Sequence, residues 1–261
     1  MYRSSSASSR RQVLGALSVA GASVLMVPGC AAMPASSPPS ATAAPTASPT
    51  AELTTSTPPT AAAEDCAVRP ELSQGPYFRD GAPERSDVRT DPTTGAVCEG
   101  VPLELSFVVS VRRGDACTPL EGARVDIWHC DALGVYSGTS APGRDTTGQM
   151  YLRGYQVTDA SGRASFTTIY PGWYPGRAVH IHFKIRGNGP DGRRYEFTSQ
   201  LFFNEAITDE VHGQEPYASR GRRNRMNTDD GIYLRGGEQT LLTPVKTESG
   251  FSARFAVALP L

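Results

Sequence analysis

The chain has 261 residues, with 25 Lys and Arg against 26 Asp and Glu and a formal net charge of −1. This balance, and a basic run confined to residues 220–225, argue against nucleic acid as a partner. The length is sufficient for one large or two small domains.

Residues 1–30 have the layout of an export signal, in which Arg10 and Arg11 precede the apolar run "VLGALSVAGASVLMV". That run is short for a stable membrane span. The arginine pair resembles a twin-arginine signal, and "VPGC" ending at Cys30 resembles a lipobox whose cysteine is lipidated. Cleavage within "AAMPASS" without lipidation is the alternative. We expect export from a bacterial cell, as a lipid-anchored surface protein or a secreted one.

Residues 31–64 are almost entirely Ala, Pro, Ser and Thr. Such a segment has very little to bury, so we predict a disordered linker. The folded part is then 65–261, one domain of ordinary size.

Four cysteines fall in this domain, namely Cys66, Cys98, Cys117 and Cys130. An even number of cysteines in an exported protein predicts two disulfides. Their pairing stays open, because four cysteines permit three arrangements. A cysteine-based metal site is the weaker alternative, since no two of them stand in a CxxC spacing.

Strand signals recur along the domain, whereas no helical pattern extends beyond a turn or two. Strict alternation places the apolar residues of "LELSFVVSV" on one face of a strand. Similar segments are 123–129, 164–169, 180–185, 195–203 and 252–259. Turn clusters separate these segments. We therefore predict an all-β fold, a β-sandwich whose long loops, 137–150 and 205–236, form a pocket.

The segment "HIHFKI" contains two of the four histidines of the chain. Alternate strand residues share a face, so His180 and His182 point to one side, at a spacing that lets both bind one metal ion. His-x-His alone is a weak signal. Tyr136 and Tyr174 lie in glycine-containing turns and can add anionic oxygen donors. Phenolates with neutral imidazoles suit a hard trivalent ion such as Fe(III).

Five blocks stand in an order that is specific as a set: "GPYF" (75–78), "PLEGARVDIWHCDALGVYSG" (119–138), "YLRGYQVTDASGRASFTTIYPGWYPGR" (151–177), "HIHFKI" (180–185) and "TSQLFF" (198–203). Together they resemble the intradiol ring-cleavage dioxygenases, which include catechol and protocatechuate dioxygenases. The resemblance covers most of 66–261 and is closer to the exported, single-domain branch. It implies a mononuclear non-haem Fe(III) held by Tyr136, Tyr174, His180 and His182.

The resemblance also implies roles beyond the metal ligands. Arg177 and Gln200 match a supporting arginine and a supporting glutamine of the family. Tyr174 matches the ligand that leaves the metal and acts as a base. Tyr77 matches a residue of the substrate pocket. The implied partners are a small aromatic diol and O2, and the implied product is a cis,cis-muconate-type diacid. Without the resemblance, a surface salt bridge and an exposed strand residue are the simpler interpretations of Arg177 and Gln200.

Two other functions stay open. One is a non-catalytic, membrane-tethered β-sandwich binding module whose metal site serves structure only. The other is a copper or zinc protein that uses the histidine pair alone. The sequence does not decide which ring substituents the pocket accepts. It does not decide the oligomeric state either. His129 is interpreted as structural, and His212 as a loop residue without partners.

Overall fold

The computed structural model describes residues 66–141, 144–189 and 191–261, which lie within the unit Pro45–Leu261. The predicted export signal, 1–30, and the predicted linker, 31–64, fall outside the described residues. In the ranges described, no helix combines the length and the apolar character needed to cross a membrane.

The described residues form twelve strands and one α-helix. The strands are β1 (Pro102–Arg113), β2 (Ala116–Pro119), β3 (Arg124–Trp128), β4 (Ser140–Ala141), β5 (Arg144–Asp145), β6 (Arg153–Val157), β7 (Arg163–Ile169), β8 (His180–Asn188), β9 (Arg194–Phe203), β10 (Leu241–Leu242), β11 (Val245–Lys246) and β12 (Phe251–Leu259). The helix α1 (Glu205–His212) follows β9. Single 3-10 turns are Tyr217–Arg220, Asn227–Asp229, Tyr233–Arg235 and Gly237–Thr240.

Two mixed sheets make a β-sandwich, which confirms the predicted fold class. The first sheet has the order β11-β12-β1-β2, with β7 pairing the first part of β1, and the second has the order β10-β9-β8-β3-β6. Aromatic rings join the sheets in the core. The ring centre of Phe183 on β8 lies 5.2 Å from that of Phe107 on β1 and 5.4 Å from that of Phe255 on β12.

Strand alternation explains which side chains form this core. The residues of β1 that alternate from Leu103 to Val111 are buried in it, as predicted. On β8, Ile181, Phe183 and Ile185 face the same core. The opposite face of β8 is not exposed to solvent, because loops cover His180 and His182, which are 2% and 0% exposed. The second sheet therefore holds a polar cluster under its covering loops.

Strand β6 and helix α1 are among the elements that the sequence did not predict. Strand β6 was missed, because "RGYQV" lacks an apolar alternation. The predicted loop 205–236 contains α1, which begins after Asn204, whose side-chain oxygen accepts the N–H groups of Ala206 and Ile207.

The expectation of two disulfides is confirmed for one pair and wrong for the other. Cys66 and Cys117 are joined, with their Cα atoms 5.7 Å apart. Cys130 is instead a buried thiol whose Sγ donates to the Gly172 carbonyl at 3.5 Å. Burial raises the pKa of this thiol well above its ordinary value, so it stays protonated and unreactive.

Candidate metal centre

The predicted metal-binding histidines lie at the start of β8, a central strand of the second sheet. In the strand register His182 is flanked by Trp128 of β3 on one side and by Gln200 of β9 on the other. A central strand has neighbours on both edges, so its backbone position is fixed by two hydrogen-bonded ladders. The backbone that carries both imidazoles is therefore rigid.

The structure brings the four predicted ligands together. The Nε2 atoms of His180 and His182 are 3.1 Å apart, and the Tyr174 Oη lies 3.2 Å from the His180 Nε2. The ring of Tyr136 comes from another loop, and its centre lies 5.7 Å from that of Tyr174. The buried Tyr136 hydroxyl has no hydrogen-bond partner among the described residues.

Burial keeps both imidazoles neutral. It lowers the pKa of His180 to about 3, with the nearby Arg177 charge acting in the same direction. Burial and the adjacent His180 hold the pKa of His182 well below its ordinary value. The His180 Nδ1 donates to the Ala178 carbonyl at 2.6 Å, which leaves a lone pair on its Nε2. Each feature favours the neutral imidazole, which can bind a metal, over the protonated imidazolium.

Burial acts on the tyrosines in the opposite direction, because it disfavours the phenolate. It raises the pKa of Tyr136 and of Tyr174 well above the ordinary value. Within the chain alone both phenols therefore stay protonated at neutral pH. A bound cation reverses this by stabilising the phenolate oxygen directly.

The donor set fits a ferric ion. Two neutral Nε2 atoms and the hydroxyl of Tyr174 converge, and the orphaned Tyr136 hydroxyl lies beside them. Nowhere in the described ranges do three or more His, Cys, Asp or Glu side chains form a group that could hold a metal. The tyrosines offer the further donors at this position, and phenolates favour a hard trivalent cation. The assignment of the four ligands stays a prediction.

The "GPYF" segment packs directly over these side chains. The Tyr77 ring stacks on that of Tyr136 with centres 4.2 Å apart. Gly75 has a positive φ of 68°, and a Cβ there would lie 3.2 Å from the His182 Cε1. On the other side, the Trp128 ring stacks on His182 at 5.0 Å and an interplanar angle of 2°. His182 is thus held between an indole and a glycine.

Arg177 and Gln200 belong to one hydrogen-bonded network beside the histidines. The Arg177 Nη2 donates to the Gln200 Oε1 at 2.5 Å, and the Arg177 Nη1 lies 3.5 Å from the His180 Nε2. The Gln200 Nε2 in turn donates to the Ser73 carbonyl at 2.5 Å. Gln200 is fully buried, so it is not an exposed strand residue. Arg177 donates to this buried side chain, so a surface salt bridge does not describe it either.

Sequence reasoning missed Asp230, which fixes Arg177 from the loop after α1. The Asp230 Oδ2 accepts the Arg177 Nε and the Ala178 N–H, each at 2.8 Å. No motif marks Asp230, since it lies in the polar stretch "NTDDG" and is 53 residues from Arg177.

Sequence reasoning also missed Arg153 on β6. Its side chain is 1% exposed and donates to the Tyr77 carbonyl at 2.6 Å and to the hydroxyl and carbonyl of Ser137, both at 2.8 Å. Burial lowers the pKa of Arg153 to about 10, so it remains a cation at neutral pH. It ties the loop that carries Tyr136 to the "GPYF" segment.

The two remaining histidines lie outside the cluster. His129 is fully buried, with its Nδ1 2.8 Å from the Cys130 carbonyl and its Nε2 2.7 Å from the Thr168 Oγ1, as suits a structural residue. The prediction that His212 lacks partners is wrong. Its Nε2 donates to the Pro171 carbonyl at 3.0 Å, and its ring stacks on Tyr217.

A cavity of about 550 Å³ opens onto the tyrosines of the cluster. Its wall includes Tyr77, Tyr136, Tyr174, Leu133 and Val135. The volume is in the range usual for small-molecule sites, and the aromatic lining suits a planar ring. The predicted place of Tyr77 beside the pocket therefore agrees with the geometry.

Comparison with known proteins identifies the architecture. A family model described as "Dioxygenase" matches residues 73–215. A solved structure described as an intradiol ring-cleavage dioxygenase from Tetranychus urticae is 29% identical, with a TM-score of 0.63, and the match covers 75% of this chain and 95% of that one. The chain belongs to the intradiol ring-cleavage dioxygenase family.

Two other relatives match over different shares of their length. The dioxygenase domain of a dioxygenase carbohydrate-binding protein fusion from Streptomyces sp. SirexAA-E is 31% identical, with a TM-score of 0.53, over 75% of this chain and 99% of that domain. Chlorocatechol 1,2-dioxygenase of Pseudomonas putida is 31% identical over 148 residues, 50% of this chain and 52% of the relative. The chain spans about half the length of the curated relatives it matches.

Proposed function

We propose that the protein is a non-haem Fe(III)-dependent intradiol dioxygenase, which cleaves a catechol-type ring with O2 to a cis,cis-muconate-type diacid. The observation that carries the proposal is the convergence of the His180 and His182 Nε2 atoms with the Tyr174 hydroxyl, beside the orphaned Tyr136 hydroxyl. Membership of the intradiol family supports it.

Tyr136, Tyr174, His180 and His182 would hold the ion. An Fe(III) ion held there would supply a binding centre for a catecholate and would make its ring reactive toward O2. The chain supplies the rest of the chemistry, namely proton transfer, orientation of the ring and charge stabilisation.

Tyr174 is the tyrosine better placed to move a proton. Both tyrosines line the cavity, but Tyr174 is half-buried, whereas Tyr136 is 3% exposed and stacked on Tyr77. A neutral diol loses two protons when it binds as a dianion. The Tyr174 oxygen, as the phenolate that a bound ion would maintain, would take one of these protons and solvent hydroxide would take the other, while Tyr136 would remain a residue that holds the ion.

Arg177 places a positive charge beside the reacting ring. Its guanidinium is held by Asp230 and Gln200, and its Nη1 lies 3.5 Å from the His180 Nε2. A fixed cation there stabilises the negative charge that develops on the ring and its oxygens. Gln200 uses both ends of its amide, one for Arg177 and one for the Ser73 carbonyl, so it acts as a positioning residue.

The test combines iron content, colour and turnover. Protein expressed with ample iron should bind about one iron per chain and absorb visible light through tyrosinate-to-Fe(III) charge transfer. Catechol should then consume an equal amount of O2 and give the ultraviolet absorption of a muconate. Tyr155→Phe, outside the site, is the control and should leave colour and turnover unchanged. Colourless, iron-free protein would refute the proposal, and coloured protein inert toward every diol would favour the binding module.

We also propose that the enzyme is exported from a bacterial cell through its twin-arginine signal and retained by lipidation of Cys30. A twin-arginine route carries folded proteins, so iron can enter the site before export, and metal binding is coupled to folding. Changing Arg10 and Arg11 to lysine should keep the protein in the cytoplasm. Cys30→Ser should leave export intact and release the protein from the membrane fraction; unchanged fractionation of both variants would contradict the proposal.

A further inference from the structure

Arg153 is a buried cation for which the described residues supply no carboxylate partner. Its side chain is 1% exposed, and no ion pair within the described ranges includes it. Its acceptors are neutral, namely the Tyr77 carbonyl and the hydroxyl and carbonyl of Ser137. A charge removed from water without an opposite charge is costly, and a neutral amide could tie the same groups together. Hydrogen bonding alone therefore does not explain a guanidinium at this position.

The strand register connects Arg153 to the candidate metal centre. A cross-strand row follows the covered face of the second sheet, and its members in order are Arg153, Trp128, His182 and Gln200. Side chains directly opposite one another on neighbouring strands share a face of the sheet. Arg153 thus ends a row that passes through one of the predicted metal ligands.

An arginine lies at each end of this row, but the two arginines differ in their partners. At the Gln200 end, Arg177 donates to the Gln200 Oε1 and forms an ion pair with Asp230. At the other end, Arg153 has no such pair within the described ranges. The charge of one arginine is therefore balanced by the chain, and the charge of the other is not.

Tyr136 lies close enough to Arg153 to supply the missing negative charge. The Arg153 guanidinium carbon is 5.8 Å from the centre of the Tyr136 ring, and both side chains are buried. After burial itself, the Tyr136 phenolate is the largest influence on the pKa of Arg153, and it raises that pKa. Charges interact strongly in such a place, because little water separates them. A neutral phenol leaves the guanidinium unbalanced, whereas a phenolate held by a bound ion would balance it.

We propose that Arg153 is a positioning residue that acts through Tyr136, as the counter-charge of the phenolate that a bound ferric ion would maintain. This inference rests on the proposed function and adds a residue to it. A cation beside a phenolate lowers the energy of the phenolate electrons. Tyr136 would then donate less charge to the ion, the ion would be easier to reduce, and its pull on the electrons of a catecholate would be stronger.

The test separates the charge of Arg153 from its hydrogen bonds. Arg153→Gln removes the charge and keeps an amide donor, whereas Arg153→Lys keeps the charge and loses the planar fork. In iron-loaded protein without substrate, Arg153→Gln should move the tyrosinate-to-Fe(III) absorption to longer wavelength and lower the reduction potential of the iron. Arg153→Lys should keep both near the wild-type values and retain more of the wild-type kcat, although both variants lose stability.

Arg124→Gln is the matched control. The Arg124 guanidinium carbon lies 3.5 Å from the centre of the Tyr155 ring, an arginine–tyrosine contact outside the candidate metal centre. Its loss should change neither the absorption nor the potential. If Arg153→Gln fails to fold, citrulline at position 153 provides a neutral side chain of nearly the same shape as arginine, and the same shifts are expected.

The Tyr136→Phe background tests whether Arg153 acts through Tyr136. With iron in excess, the remaining absorption arises from Tyr174, and Arg153→Gln should shift it and the potential less than in protein that retains Tyr136. Equal shifts in both backgrounds, or equal shifts for the Gln and Lys variants, would overturn this inference and leave the proposed reaction intact. Coloured protein that is inert toward every diol but shows the charge-dependent shifts would refute the reaction and leave the role of Arg153. Protein that binds no ferric ion would overturn both.

Discussion

Asp230 and Arg177 form an ion pair that joins the loop after α1 to the segment in front of the histidine strand. The Arg177 Nε donates to the Asp230 Oδ2 at 2.8 Å, and the side chains are 17% and 1% exposed. The same carboxylate oxygen accepts the Ala178 N–H at 2.8 Å. One buried acid therefore fixes both the cation and the backbone just before His180.

Asp230→Asn should lower kcat by about ten- to a hundredfold with a smaller change in KM, because Arg177 loses the charge that holds its guanidinium beside His180. We expect an unfolding free energy lower by about 1–3 kcal/mol. Steady-state kinetics and urea denaturation measure the two effects. Asp209→Asn is the matched control, since Asp209 pairs with Arg223 from an exposed position, and its kcat should be unchanged. An unchanged kcat in Asp230→Asn would refute a positioning role.

Gly75→Ala should disturb His182 specifically. The new Cβ meets the His182 Cε1 at 3.2 Å and also carries the cost of a positive φ of 68°. Gly81→Ala carries a similar backbone cost at φ 85°, with nothing within 4 Å of its Cβ. Both variants should lose about 1 kcal/mol of stability. Only Gly75→Ala should weaken iron retention and shift the visible band, as equilibrium dialysis and absorption spectra would measure. If both variants changed iron retention and the visible band equally, the contact with His182 would not be the cause.

Tyr136→Phe should have opposite effects on the metal-free and iron-loaded protein. Its buried hydroxyl has no hydrogen-bond partner among the described residues, so removing it from metal-free protein should cost nothing or stabilise by up to about 1 kcal/mol. The iron-loaded protein should lose a ligand and much of its iron affinity. Tyr170→Phe is the control, because the Tyr170 hydroxyl bonds the Thr208 Oγ1 at 2.7 Å, and it should destabilise both forms by about 1 kcal/mol. A destabilised metal-free Tyr136→Phe would contradict this account.

His129 should make the metal-free fold sensitive to acid. Burial lowers the pKa of His129 to about 4, against about 6.5 in an unfolded chain, so below pH 6.5 the unfolded state binds a proton that the folded state does not. The contribution of His129 to stability is complete above pH 6.5 and falls by about 1.4 kcal/mol per pH unit down to about pH 4, on top of the slope from buried His180 and His182, which both proteins share. In urea denaturation between these values, His129→Asn should show a slope shallower by about that amount. Parallel slopes would show that His129 is not the group responsible.

The predictable part of the molecule is the part that local periodicity controls. Alternation in "LELSFVVSV" and "HIHFKI" was sufficient for β1 and β8 and for the common face of His180 and His182. The convergence of Tyr136 with Tyr174 depends on two loops folding over one sheet face, and ordered motif blocks predicted it where spacing could not. Asp230 and Arg153 act through contacts 53 and 76 residues away in sequence, which no periodic pattern encodes.

The disulfide between Cys66 and Cys117 has a mechanical consequence. It closes a covalent loop that contains β1, Gly75 and Tyr77, the last two packed against the candidate metal ligands. Tension on the chain before Cys66 passes through the sulfur bridge directly to β2 and bypasses the enclosed segment. Force applied to the chain before Cys66 would thus reach the sheet without stretching the segment that contains Gly75 and Tyr77.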